Sequence, residues 1–289
     1  MRKEQMYILE NQESFELKDI FDCGQCFRWN KESNGSYTGV FKGNVLNVQK
    51  EKKRIIFNGI IDGKIQEVVD EYFDLKRDYT RIKMELSKVD EYILQSIKYG
   101  EGIRILNQEL NETILSFIIS ANNNIPRIKG IIEKISKKYG EKIIWKGKEY
   151  FTFPKLEQLK NVTVEEYRNL GAGFRDKRLF ETVQKLINKE IDTDLWYKEK
   201  DTSKIREELL KLSGVGPKVA DCILLFSDLK RFDVFPIDVW VRRVMNELYI
   251  KESDETKVNK KQIEKMAKEK FGNLQGLAQQ YLFYWKRDA

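Results

Sequence analysis

The sequence predicts an α+β protein: a small antiparallel β domain over residues 1–80, then a mostly α-helical region over 81–289. Three observations carry this. Short β-rich runs broken by turn residues fill roughly the first 60 positions. The hydrophobic period becomes helical from about residue 64, and a glycine hairpin joins two helical segments at 203–227.

The β elements come first. Segments 36–41, 45–48 and 54–57 are short apolar and aromatic runs, separated by Lys42-Gly43-Asn44 and by a polar stretch at 50–53, as in an antiparallel meander. Helical stripes follow. Ile128, Ile131, Ile132 and Ile135 fall at i, i+3, i+4 and i+7, with Pro126 at the start and Gly140 as the stop. Leu179, Val183, Leu186 and Ile187 repeat the pattern after the Gly171-Ala172-Gly173 loop, and Val241, Val244, Met245 and Leu248 form a third stripe. These are core faces and imply no cofactor. Segment 251–262 reads as a polar surface loop, and no internal repeat or low-complexity linker interrupts the chain.

The hairpin is the most informative element. Ile205, Leu209, Leu210 and Leu212 recur at helical spacing before it. Gly214 and Gly216 admit backbone angles closed to other residues, and Pro217 suits the first position of a new helix. Such a turn aims backbone N–H groups of Gly214, Val215 and Gly216 outward at a helix N-terminus, an arrangement that binds phosphate. Lys218 then falls in the first helical turn, where the positive end of the dipole disfavours its charged form and favours a nucleophilic amine.

Composition narrows the chemistry. The net charge of +7 suits a nucleic-acid partner, and 41% hydrophobic residues support a proper core. The chain has no histidine, which excludes an imidazole base and counts against a zinc or non-haem iron site. Three cysteines (Cys23, Cys26, Cys222) point to a reducing, intracellular setting. Cys23 and Cys26 lack a second pair to complete a metal site, so no metal and no cofactor are expected. Neither a signal peptide nor an 18-residue apolar run is present, so the expectation is a protein neither exported nor membrane-spanning. Lys-, Ile- and Asn-rich usage suggests a prokaryotic cytoplasm and its nucleoid DNA.

The hairpin, Asp238 at 20 residues beyond Lys218, and the run Val234-Phe235-Pro236-Ile237-Asp238 resemble the helix-hairpin-helix (HhH-GPD) DNA glycosylases, which remove damaged bases. Leu212-Ser213-Gly214-Val215-Gly216-Pro217-Lys218-Val219-Ala220-Asp221-Cys222 is similar to the 8-oxoguanine DNA glycosylase/AP lyase branch. So are Gly24-Gln25-Cys26-Phe27-Arg28-Trp29, the segment 116–125 with Asn122-Asn123-Asn124, and Ala278-Gln279-Gln280-Tyr281-Leu282-Phe283. Four blocks in order span residues 24–283. The resemblance implies two helical subdomains with the DNA cleft and base pocket between them. It also implies a double-stranded DNA partner containing oxidised guanine; a monomer is the default.

Residue by residue, the resemblance makes Lys218 the nucleophile and Asp238 the carboxylate that stabilises the sugar cation. The plain readings are a surface lysine and an N-cap, and capping is compatible with catalysis. Gly24 would direct its carbonyl at the imidazole N–H of the oxidised guanine, Cys222 and Phe283 would sandwich the base, and Gln279 would bond its Watson–Crick edge. Without the resemblance, Cys222 and Phe283 read as core residues and Gln279 as a surface amide. Asn122 would fill the gap left by the flipped base, with Arg127 and Arg175 reading the orphaned cytosine and Phe174 as the wedge. The plain reading of Asn122-Asn123-Asn124 is a helix C-terminal turn. Family members commonly carry tyrosine at the Phe174 position and histidine at that of Trp240, which puts the opposite-base preference and a phosphate contact in question.

Two rivals remain at this level. A sister glycosylase for alkylated purines would lack the lysine, and the pyrimidine-directed endonuclease III branch would carry four cluster cysteines. A non-catalytic helix-hairpin-helix DNA-binding module would need neither Lys218 nor Asp238.

Overall fold

The computed structural model describes residues 1–12, 14–254 and 257–288. Strands β1 (Lys3–Leu9), β2 (Trp29–Lys31), β3 (Tyr37–Phe41), β4 (Asn44–Glu51) and β5 (Arg54–Ile61) form one antiparallel sheet in the order β1-β5-β4-β3-β2. The meander expected at 36–57 is its centre. Lys42 and Gly43, both at positive φ, make the two-residue turn between β3 and β4. Sequence reading missed the two edges: β1, which pairs with β5 from Lys3↔Ile61 to Leu9↔Ile55, and the short β2.

Helices α1 (Leu17–Phe21) and α2 (Ile65–Tyr72) belong to the same unit, whose core gathers Phe15, Ile20, Phe21, Trp29, Tyr37, Phe57 and Phe73. Phe21 stacks on Trp29 with centroids 4.2 Å apart, and the indole N–H donates to the Tyr72 hydroxyl at 3.0 Å. The aromatic core is thus satisfied as well as filled. This packing fixes the segment that leads into Gly24.

Helices α3 (Tyr79–Leu86), α4 (Glu91–Tyr99), α5 (Leu110–Ser120) and α6 (Ile125–Tyr139) follow. Residue 80, where the sequence reading divides the chain, lies in the first turn of α3. The units also interlock: Leu106 joins the core under the sheet, and Cys23 and Phe27 join that of the helices. A hairpin of β6 (Lys142–Trp145) and β7 (Lys148–Phe151) interrupts the helical region. Its Ile143 and Trp145 pack on Val40 and Val45, covering the outer face of the sheet. That is why every residue of β3 is buried.

The remaining helices are α7 (Leu156–Leu159), α8 (Val164–Asn169), α9 (Asp176–Ile187), α10 (Thr202–Leu209), α11 (Pro217–Phe226), α12 (Val239–Met245), α13 (Lys260–Phe271) and α14 (Gln275–Asp288). The three stripes named above face one continuous apolar core that gathers residues from Tyr79 in α3 to Tyr284 in α14. Leu210 is the exception to the α10 stripe: the helix stops at Leu209 and Leu210 is exposed. Of the polar segment 251–262, Lys260 onward belongs to α13, and residues 255 and 256 lie outside the described residues. Helix α14 closes the molecule on its N-terminal unit. The Gln280 amide donates to the Cys23 carbonyl at 2.7 Å, and the Tyr284 hydroxyl donates to Asp19 at 3.0 Å.

Candidate functional site

The α10–α11 hairpin is built as its sequence implies. Gly214 sits at φ +85°, and Gly216 at φ −94°, ψ 178° is the N-cap of α11, with Pro217 next. The positive φ of Gly214 favours glycine, and a Cβ there would fall 2.8 Å from the Arg178 Cδ, so the arginine stem would have to shift. Val215 departs from expectation. Its side chain is buried and its N–H donates inward to the Leu212 carbonyl at 3.2 Å, so it is not one of the outward donors. The anion-binding end is left to the amides at the start of α11.

Lys218 lies half-buried in that first turn, its ammonium 5.6 Å from the centroid of Phe117 on α5. One helical turn on, Cys222 is 3% exposed. Asp238 caps α12, accepting the Val241 N–H at 2.7 Å, so the capping role is real. The protonation state differs from expectation. Cys222 and then Asp238 hold the Lys218 ammonium above the ordinary amine value, outweighing burial. Burial pushes the Cys222 thiol up to about 11, against the pull of Lys218. The attraction of Asp238 for the ammonium is the smaller of the two and by itself falls below the opposing effect of burial. The resting protein therefore stores a proton on its candidate nucleophile.

Gly24 and Phe283 meet across the N- and C-terminal units. Gly24 is at φ +90°, and a Cβ there would lie 3.5 Å from the Phe283 Cε1. Its loop is held on both sides. The Cys23 carbonyl accepts from Gln280, the Asp22 carbonyl accepts from Arg287 at 2.8 Å, and the Gln25 amide group bonds Ile20, Arg104 and Leu106. Gln279 lies one turn before Phe283 on α14, so both project from one helix face. Gln279 is 5% exposed, and among the described residues its Oε1 has no hydrogen-bond partner. A buried acceptor left unpaired costs stability, and its retention suits a ligand donor.

A second cluster forms around the turn between α5 and α6. Asn122 is exposed at φ +50°, Asn123 donates back to the Ile119 carbonyl at 3.0 Å, and Asn124 caps α6 by accepting the Arg127 N–H at 3.0 Å. The asparagine run thus serves as a turn while presenting Asn122. Arg127 is exposed, and Phe174 is 55% exposed with the Arg175 guanidinium 4.2 Å from its ring centroid. Arg175 itself requires a correction. It is 1% exposed, and it donates to the carbonyls of Ala121 at 2.9 Å, Asn122 at 2.7 Å and Ala172 at 3.3 Å. In the free protein it braces the Asn122 turn and does not face a base.

Comparison with known proteins decides the family. Residues 7–114 match the model of the 8-oxoguanine DNA glycosylase N-terminal domain, and residues 115–273 match that of HhH-GPD superfamily base excision DNA repair proteins. An N-glycosylase/DNA lyase of Saccharomyces cerevisiae is 32% identical, over 81% of this chain and 68% of that one. The chain belongs to the 8-oxoguanine glycosylase/lyase branch of the HhH-GPD superfamily. A Clostridium acetobutylicum 8-oxoguanine glycosylase/lyase, solved with double-stranded DNA containing cytosine opposite 8-oxoguanine, shares 46% identity and a TM-score of 0.92, covering 100% of this chain and 98% of that one. An Archaeoglobus fulgidus 3-methyladenine DNA glycosylase, 21% identical over 97% of this chain and 98% of that one, has a TM-score of 0.76 and shares the fold.

Within this glycosylase/lyase scaffold, sequence reading missed Phe117, beside the candidate nucleophile, and Arg178, against the hairpin. A helical count places Arg178 one turn after Phe174, which is the signal that could have found it. Among the described residues, no cluster of three or more cysteine or carboxylate side chains is placed to hold a metal ion. No described helix is long and apolar enough to cross a membrane.

Proposed function

We propose that this chain excises 8-oxoguanine from duplex DNA and then cuts the strand at the abasic sugar. The observation that carries this is Lys218: a half-buried amine at a phosphate-binding helix start, facing the charge of Asp238. Once its proton is lost, the amine attacks C1′ of the flipped nucleotide, the bond from C1′ to the base breaks, and the base leaves with the bonding pair. The sugar ring then opens to a Schiff base on Lys218. Loss of a C2′ proton breaks the C3′–O bond and releases the 3′ phosphate by β-elimination. Asp238 stabilises the cationic sugar and accepts a proton from the amine.

The base would lie between Phe283 and Cys222, with the Gly24 carbonyl accepting the N–H that guanine lacks and Gln279 Oε1 accepting from the Watson–Crick edge. Hairpin amides would grip the lesion strand, while Asn122, Arg127 and Phe174 would face the opposite strand. Reading cytosine with Arg175 would require it to exchange its carbonyl partners. The enzyme would act as a monomer on nucleoid DNA in a prokaryotic cytoplasm. Duplexes carrying one 8-oxoguanine test the reading by base release and strand scission. Release of 8-oxoguanine and not of guanine is expected; binding without release sinks it.

A further inference from the structure

Helix α9 connects the two halves of the DNA-facing surface. Its N-terminal end follows Phe174, and one of its faces cradles the α10–α11 hairpin. On that face the Thr182 hydroxyl donates to the Ser213 carbonyl at 3.1 Å, and Lys185 donates to the Lys211 carbonyl at 2.7 Å. Arg178 is the next residue of this face towards the wedge. Its stem lies over Gly214, where an added Cβ would stand 2.8 to 3.3 Å from three of its carbons. Its guanidinium reaches 5.2 Å from the Phe174 centroid.

What sets Arg178 apart is its head group. Thr182 and Lys185 spend their polar atoms on the hairpin, and Arg175 spends its guanidinium on carbonyls. Among the described residues no hydrogen bond or ion pair engages the Arg178 guanidinium. Arg127 and Arg178 both act electrostatically on Arg175, so three like charges crowd this corner. Such crowding disfavours the free protein and is relieved by an anion, and a planar guanidinium fits a phosphate with two parallel hydrogen bonds.

We propose that Arg178 is a DNA-phosphate ligand that ties the hairpin's grip on the duplex to the Phe174 wedge. The inference rests on the reading of the chain as a duplex-acting glycosylase. Because a phosphate contact carries no sequence information, it acts on undamaged and damaged duplex alike.

Affinity is measured by fluorescence anisotropy for wild type, Arg178→Gln and Arg178→Lys across a salt series, on undamaged and 8-oxoguanine-containing duplexes. Losing one phosphate contact makes the slope of log affinity against log salt shallower by about 0.9. The wild-type advantage over Arg178→Gln therefore shrinks about 3.5-fold between about 50 and about 200 mM salt. Arg178→Lys keeps the charge and is expected to keep the slope. If Arg178→Gln does not fold, Arg178→Met, which keeps an apolar stem over Gly214, is read in the same way. An Arg178→Gln slope equal to wild type, or an Arg178→Lys slope equal to that of Arg178→Gln, overturns the proposal. Wild type that excises 8-oxoguanine alongside unchanged slopes sinks this inference alone. A slope change in a protein that releases no base upholds Arg178 and sinks the glycosylase reading.

Discussion

Asp238 carries two separable duties, and replacing it by asparagine and by alanine tells them apart. Its carboxylate accepts the Val241 N–H at 2.7 Å at the start of α12, and its charge adds to the larger effect of Cys222 in holding the Lys218 ammonium up. Asparagine caps about as well as aspartate, so Asp238→Asn should leave stability within a few tenths of a kcal/mol. Alanine loses the cap, worth about 1 kcal/mol, or a melting point lower by roughly 2–4 °C. Both variants lose the charge facing the sugar. Removing one preorganised electrostatic stabiliser typically costs about 10²–10³ in rate, or roughly 3–4 kcal/mol of transition-state stabilisation. Without Asp238, Lys218 gives up its proton at lower pH. The limb of the excision profile that rises with pH should therefore move to lower pH in Asp238→Asn. Single-turnover base release across pH, paired with thermal melts, reads all of this. An Asp238→Asn protein with the wild-type rate and pH profile would reduce Asp238 to a cap. One that melts as low as Asp238→Ala would contradict the capping argument.

Three further outcomes follow from the packing and charges. Gly24→Ala adds a methyl 3.5 Å from Phe283 at φ +90°, and is expected to lower the 8-oxoguanine-to-guanine excision ratio at least about tenfold while changing undamaged-duplex affinity about twofold or less. Equal losses in a paired kinetic and binding assay would leave Gly24 as a turn residue. Gly214→Ala meets both φ +85° and the Arg178 stem, so a loss of about 1–3 kcal/mol is expected in denaturant melts, and unchanged stability would refute the close packing there. Lys230 is buried at the junction of the two units, donating to the Ile105 carbonyl and lying 3.6 Å from Asp74; burial lowers its pKa to about 7 from an ordinary 10.5. The unfolded chain holds that proton up to about 10.5, so stability should rise between about pH 7 and 10.5, by at most about 1.4 kcal/mol per pH unit. Lys230→Met should flatten that rise in pH-dependent melts, and identical slopes would place the amine in water.

What sequence reading could recover here was local. The β3–β5 meander, the α6 and α9 stripes and the α10–α11 hairpin each declare themselves within 25 residues or fewer, through period, turn glycines and caps. Strand β1 was missed because its seven residues are largely polar or exposed and gain order only from β5, more than 45 residues away. The β6–β7 hairpin did carry a signal, apolar and aromatic runs flanking the Lys146-Gly147 turn, but the helical period on either side masked it. At the site, Lys218 and Asp238 were singled out through the family resemblance of the hairpin and of their spacing, whereas the charge on Lys218 was not legible. The helix dipole is a local property, while the opposing effects come from Cys222 and from Asp238 on another helix. Arg175 shows the same limit. The family resemblance makes it a reader of the orphaned cytosine, and only the carbonyls of Ala121 and Asn122, more than 50 residues earlier, reveal that it is buried.

The central claim is that the Lys218 amine forms a covalent bond to the damaged nucleotide's sugar. Borohydride trapping on a duplex carrying one 8-oxoguanine opposite cytosine, with Lys218→Gln alongside, tests it most directly. A covalent adduct with wild type and none with the variant is the predicted result. Base release by wild type without an adduct, or an adduct that survives in Lys218→Gln, would contradict it.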